Sequence, residues 1–130
     1  MKILVVDDEF VSLQKLSLLL KDRGECDTAT SGEHALGMYI KAEMDKSPYE
    51  LITLDVDMPG MSGPETAQKI RQYEEDMGIA SLHTSVKILM VTAMTDGKSI
   101  MSAFKGGCEG YLTKPFNKEE IQKSLDSIGA

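Results

Sequence analysis

The sequence predicts an α/β fold, a parallel sheet with helices on both faces, and three observations carry that reading. Short β-rich runs alternate with longer amphipathic segments five times, the signature of repeated βα units. Two of the short runs, Leu51-Ile52-Thr53-Leu54 and Ile88-Leu89-Met90-Val91, are almost continuously apolar, as strands covered on both sides must be. The length, 130 residues, suits one domain with a sizeable core.

The elements follow in order. A strand near 2–7 contains Ile3-Leu4-Val5-Val6 and leads into Asp7-Asp8, and a helix near 9–23 repeats Leu13, Leu16 and Leu20 along one face. A strand near 25–29 and a helix near 32–46 come next, then a strand near 50–55 ending at Asp55. The helix near 63–77 carries Ile70, Tyr73 and Met77 on one face, with Ser62 and Glu65 spaced as a capping box. A strand near 86–91, a helix near 97–106 and a strand near 109–112 lead to a last helix near 118–128. That helix repeats Ile121, Leu125 and Ile128, and Asn117 with Glu120 forms a second capping-box pattern. Gly24, Gly78 and Gly106-Gly107 follow helices, where a left-handed residue is convenient. Right-handed crossovers leave few topologies for five such units. The simplest is a flavodoxin-like doubly wound (βα)5 sandwich, with a five-stranded parallel sheet in the order 2-1-3-4-5. The pattern shows no internal repeat or linker, so the expectation is a single domain over residues 1–130 with no room for an output domain.

Composition excludes several classes. A net charge of −7 argues against direct nucleic-acid binding, which needs a cationic surface. The opening residues are too short and too acidic for a signal peptide, and no apolar run reaches membrane-spanning length. A cytoplasmic protein with no membrane contact is expected. Cys26 and Cys108 lack zinc-site spacing, and the cytoplasmic reading makes buried thiols the expectation in place of a disulfide.

The functional argument begins with strand ends. In a parallel sheet the carboxyl ends of the strands share one edge, so groups placed there meet in one crevice. Asp7, Asp8 and Asp55, the hydroxyl of Thr92 after Ile88–Val91, and Lys114 all occupy such positions. An acidic pair at a strand end is also a common helix cap, and Thr92 or Lys114 alone would pass for a turn hydroxyl or a solvated amine. Their coincidence at four strand ends points to a magnesium-assisted phosphoryl site. Mg2+ takes roughly six oxygens, one or two of them from carboxylates. Asp8 and Asp55 suit direct ligation and Asp7 ligation through water, leaving an Asp55 oxygen as nucleophile. Lys114 would act on the phosphoryl group as a point charge and Thr92 as a hydrogen-bond donor.

The motifs Val5-Val6-Asp7-Asp8-Glu9, Leu54-Asp55-Val56-Asp57-Met58-Pro59-Gly60, Val91-Thr92-Ala93 and Gly110-Tyr111-Leu112-Thr113-Lys114-Pro115-Phe116 run through the chain in this order. In them the sequence resembles the CheY-like receiver domains of two-component response regulators, in stand-alone form. The resemblance implies that Asp55 accepts a phosphoryl group from the phosphohistidine of a sensor histidine kinase or a histidine phosphotransfer protein. It further implies Mg2+ held by Asp7, Asp8, Asp55 and the backbone carbonyl of Asp57, and a cis bond between Lys114 and Pro115. Thr92 and Tyr111 would form the switch, altering the face of the fourth helix, fifth strand and fifth helix for a downstream protein target whose identity the sequence does not name. Such a protein is no turnover enzyme; its phosphotransfer and autodephosphorylation are self-catalysed. Asp57 and Met94 stand where the family tunes the phosphoryl lifetime, and Met94 cannot orient an attacking water.

Two rivals share features. A haloacid-dehalogenase-type phosphatase also uses Asp-x-Asp, here Asp55-Val56-Asp57, but that family places it on the opening strand. A flavodoxin-like electron carrier would need a phosphate loop where Asp7-Asp8-Glu9 stands, and this chain has no tryptophan to stack on a flavin. Elsewhere, His34 and His83 fit no phosphotransfer or metal spacing, Met101 and Phe104 read as core or interface, and Lys98 and Lys105 as a solvated face. Residues 78–85 form a longer connection than the family usually has.

Overall fold

Five strands pair in parallel in the order β2-β1-β3-β4-β5 in the computed structural model, which describes residues 1–79, 85–93 and 107–130. They are β1 (Lys2–Val6), β2 (Glu25–Ala29), β3 (Leu51–Asp55), β4 (Lys87–Thr92) and β5 (Gly110–Thr113). Helices α1 (Phe10–Leu20), α2 (Gly32–Met44) and α3 (Gly63–Asp76) follow the first three strands, and a C-terminal helix (Lys118–Ile128) follows β5. The expected flavodoxin-like topology is therefore the observed one. The helix expected over 97–106 lies outside the described residues, as do Met94, Lys98, Met101, Phe104, Lys105, Gly106, His83 and most of the long connection.

Strand periodicity explains why the central runs are apolar throughout. Successive side chains point to opposite faces, so Ile52, Leu54, Ile88 and Met90 join Tyr39 and Ile70 in one core layer. Leu51, Leu89 and Val91 join Leu13, Leu16, Leu20, Ile121 and Leu125 in the other. Every residue of β3 is buried, whereas the edge strand β2 exposes three of five. The predicted faces of α1 and of the C-terminal helix are borne out, with Ile128 partly buried.

Some local expectations are corrected. On α3 the buried set is Gly63, Thr66, Ala67, Ile70 and Glu74, and Met77 is 60% exposed, because the stripe turns toward Glu74 at i+4 from Ile70. The capping box at Asn117–Glu120 forms in both directions, but at Ser62 only the hydroxyl bond to the Glu65 amide does. α1 stops at Leu20, short of 23. Gly78 is left-handed, with φ 70°, whereas Gly24 is not. Gly24 serves close approach, since a Cβ there would run into the Met1 carbonyl. Both cysteines are free and only partly buried.

Register brings the functional ends together. Val6 pairs with Leu54, Asp55 with Val91, and Thr92 with Thr113. Asp7, Asp55, Thr92 and Lys114 thus leave the sheet along one rim.

Candidate functional site

Asp7 and Asp8 directly follow β1, and Asp55 ends β3. Each of the three carboxylates offers an oxygen within 4.8 Å of the others. Asp7 and Asp55 are buried, while Asp8 faces solvent. The site is held from below by main-chain bonds. The Asp7 amide donates to the Ala29 carbonyl at 3.2 Å and the Val56 amide to the Val91 carbonyl at 3.1 Å. Gly63 lets α3 start against this rim, since a Cβ there would strike the Asp55 carbonyl.

Lys114 is anchored by its amide, which donates to the Thr92 carbonyl at 2.7 Å. Its ammonium donates to Asp7 Oδ2 at 2.9 Å and stands 3.8 Å from Asp55 Oδ1. Asp7 Oδ1 meanwhile accepts the Glu9 amide at 2.9 Å. Asp7 is therefore bonded on both oxygens, and Asp55 has its cation beyond hydrogen-bond reach. The electrostatics follow. Burial, then the charge of Asp7, push the Asp55 carboxyl up to about 7; Lys114 opposes this, and Asp8 and Asp57 add to it. Burial works against the Lys114 ammonium, yet the Asp7 hydrogen bond and the Asp55 charge outweigh it and raise its pKa. The cluster is short of positive charge by its own geometry. Hard carboxylate oxygens this close, with one at the surface, fit a small divalent cation such as Mg2+.

The other predicted residues fall around this centre. Thr92 is buried at the end of β4. Asp57 is exposed in the β3–α3 connection, where Gly60 takes φ 75°. Tyr111 lies on β5 at 38% exposure, and the Lys114–Pro115 bond is cis. His34 is exposed on α2, away from any metal-type cluster among the described residues.

The family model described as the response regulator receiver domain matches residues 3–126. The chain belongs to this family. Similar proteins include chemotaxis protein CheY-3 of Vibrio cholerae, 33% identical over 130 residues, with 98% of this chain and 91% of that protein covered. Hybrid signal transduction histidine kinase L of Dictyostelium discoideum is 32% identical over 129 residues, and there the chain spans 98% of itself but only 7% of the relative. Among solved structures, response regulator TrrA from Thermotoga maritima, in complex with Mg(2+)-BeF, superposes with a TM-score of 0.74 at 34% identity, covering 98% of this chain and 97% of that one. This chain is thus a CheY-like receiver domain of two-component signalling.

Sequence reasoning missed several residues whose side chains tie distant segments together. Lys15 of α1 donates to the Phe116 carbonyl at 3.2 Å, and the Glu33 carboxylate accepts the Met61 amide at 3.2 Å. At the opposite edge, Arg71 bonds Glu74 at 2.8 Å, Glu109 at 2.8 and 2.9 Å and the Val86 carbonyl at 2.9 Å. Glu74, on the face of Ile70, was the visible signal, because a carboxylate on a core stripe requires a partner.

Proposed function

We propose that Asp55 is the phosphoacceptor of this receiver domain, taking its phosphoryl group from the phosphohistidine of a sensor histidine kinase or a histidine phosphotransfer protein. The observation that carries the reading is the buried Asp55 carboxylate, clustered with Asp7 and Asp8 while Lys114 stands 3.8 Å away. An Asp55 oxygen forms the new bond to phosphorus as the bond from phosphorus to the imidazole nitrogen breaks. That nitrogen leaves with the electron pair from a ring already protonated on its other nitrogen, giving neutral histidine. Asp8 and Asp55 would ligate Mg2+ directly, with the Asp57 carbonyl. Asp7, already bonded on both oxygens, would act through water. When bound, Mg2+ supplies charge neutralisation to the phosphoryl oxygens and relieves the repulsion among the acids. Lys114 places its ammonium where the phosphoryl oxygens arrive, so positioning and charge carry most of the rate.

Phosphorylation adds a charge near −2 at this rim. Thr92 moves toward it and Tyr111, now 38% exposed, turns inward, which changes the β5 face offered to a downstream protein. The chain acts in the cytoplasm as a switch, without substrate turnover, and loses its phosphoryl group by self-catalysed hydrolysis. Asp57 and Met94 tune that loss. Swapping each for Asn should change the half-life of the phosphoryl group, and unchanged half-lives in both variants would refute the tuning role.

Acetyl phosphate with Mg2+ tests the core of the proposal. One labelled aspartate per chain is expected, lost in Asp55→Asn and in excess chelator. Labelling of that variant would sink the assignment, and multiple turnover of small phosphomonoesters would favour a phosphatase.

A further inference from the structure

We infer that Lys15 is a positioning residue for Lys114, an inference that rests on the phosphoryl site proposed above. Lys114 stands at the point where β5 leaves the sheet, and the turn through Pro115 and Phe116 carries the chain into the C-terminal helix. One end of that turn is fixed by the bond from the Lys114 amide to Thr92. The other end depends on Phe116, which is buried in the same core layer as Leu13 and Leu16. Between α1 and the turn lies a cleft of about 380 Å3, bordered by Ser12 and Leu16 on one side and by Ala93, Lys114 and Pro115 on the other. A turn beside such a space has room to relax.

Lys15 spans this gap. Its ammonium donates to the Phe116 carbonyl at 3.2 Å and lies 4.8 Å from the centre of the Phe116 ring. One side chain therefore grips both the backbone and the ring of the same residue, two positions beyond Lys114. Hydrogen bonds from charged donors and cation–π contacts are each modest at a partly exposed site, but here they act together on one residue. The sequence gives no reason for a cation there from the helix pattern, since Lys15 lies beside Leu16 and Ser12 on α1. Placement of the Lys114 ammonium matters because a small displacement of a charge from the transferring group lowers the rate steeply. Lys15 touches none of the three carboxylates, so its effect should separate from metal binding.

The test compares wild type, Lys15→Met and Lys15→Arg, using acetyl phosphate as donor at saturating Mg2+. Lys15→Met keeps the stem and loses both contacts. Its labelling rate at saturating donor should fall roughly three- to tenfold, with unchanged Mg2+ affinity by calorimetry and faster hydrogen exchange at the amides of Phe116 and Asn117. Arginine can make both contacts, and Lys15→Arg should recover most of the rate. Wild-type rates in Lys15→Met would overturn this inference while leaving Asp55 as acceptor. A parallel fall in Mg2+ affinity would overturn it by showing general damage to the site. So would a defect that vanishes at about 0.5 M salt, where screening is short-ranged, since Lys15 would then be a remote charge. Absence of wild-type labelling would bring down the phosphoryl site and this inference with it.

Discussion

Replacing Asp55 with asparagine should stabilise the metal-free protein at alkaline pH, although it destroys the proposed acceptor. Asparagine has nearly the same shape and carries no charge. In the native chain the Asp55 carboxyl is raised from 3.8 to about 7, first by burial and then by Asp7. The raised value fixes the sign. The folded state prefers protonated Asp55, so that preference supports folding below the unfolded pKa and is lost as pH rises through the folded one. Stability in chelator should therefore decline between about pH 4 and pH 7. A shift of about three units corresponds to an upper limit near 4 kcal/mol. Water reaching the rim screens the charges, and about 2 kcal/mol is the reasonable expectation. For a domain of this size that is roughly 6 °C in Tm. The assay is urea and thermal unfolding of both proteins in excess chelator across this pH range. Asp55→Asn should exceed wild type by a gap that is small near about pH 4, widens to about pH 7 and then levels off. A gap that is absent at alkaline pH, or the same at every pH, would refute the electrostatic account.

Three further outcomes are expected. Saturating Mg2+ should raise the wild-type Tm at alkaline pH, because a ligand bound only by the folded state stabilises it; Asp55→Asn should respond far less, and equal responses would place the ion elsewhere. Arg71→Met would leave Glu74, 1% exposed, without its 2.8 Å cation, at a loss of about 3–5 kcal/mol in urea unfolding; a loss below about 1 kcal/mol would mean that Glu74 is content with the Val86 amide alone. Gly63→Ala would drive a methyl into the Asp55 carbonyl and should destabilise the fold by about 1–3 kcal/mol, with slower Asp55 labelling; a neutral variant would show that the helix start yields freely.

The sheet and its functional rim were legible because both depend on local pattern plus one topological rule. Apolar runs at Leu51–Leu54 and Ile88–Val91 could only be covered strands, and parallel pairing then puts Asp7, Asp55, Thr92 and Lys114 on one edge. What escaped depends on contacts between segments distant in the chain. Arg71 meets Glu109 only because register sets the start of β5 beside β4, where the Glu109 carboxylate also accepts the Ile88 amide at 2.6 Å. Gly24 looked like a helix stop, yet its role is room for the Met1 carbonyl. Lys15 is exposed on α1 and carries no motif, and its partner lies in a turn about a hundred residues away, reached across the α1 face.

The buried acids set the rim that carries the proposed acceptor apart from the opposite edge. Among the described residues the buried carboxylates are Asp7, Asp55 and Glu74. Glu74 has Arg71 on one oxygen and the Val86 amide at 3.0 Å on the other, so its charge is fully answered by the fold. Asp7 is answered almost as well, by Lys114 and the Glu9 amide. Asp55 differs, with Lys114 at 3.8 Å and two further acids beside it. A fold selected for stability alone would have given Asp55 the treatment of Glu74. Leaving it under-compensated keeps an oxygen available for bond formation and makes any incoming cation stabilising. The same deficit therefore drives the pH effect predicted for Asp55→Asn and the Mg2+ requirement proposed for phosphotransfer, and loss of either one without the other would break the link.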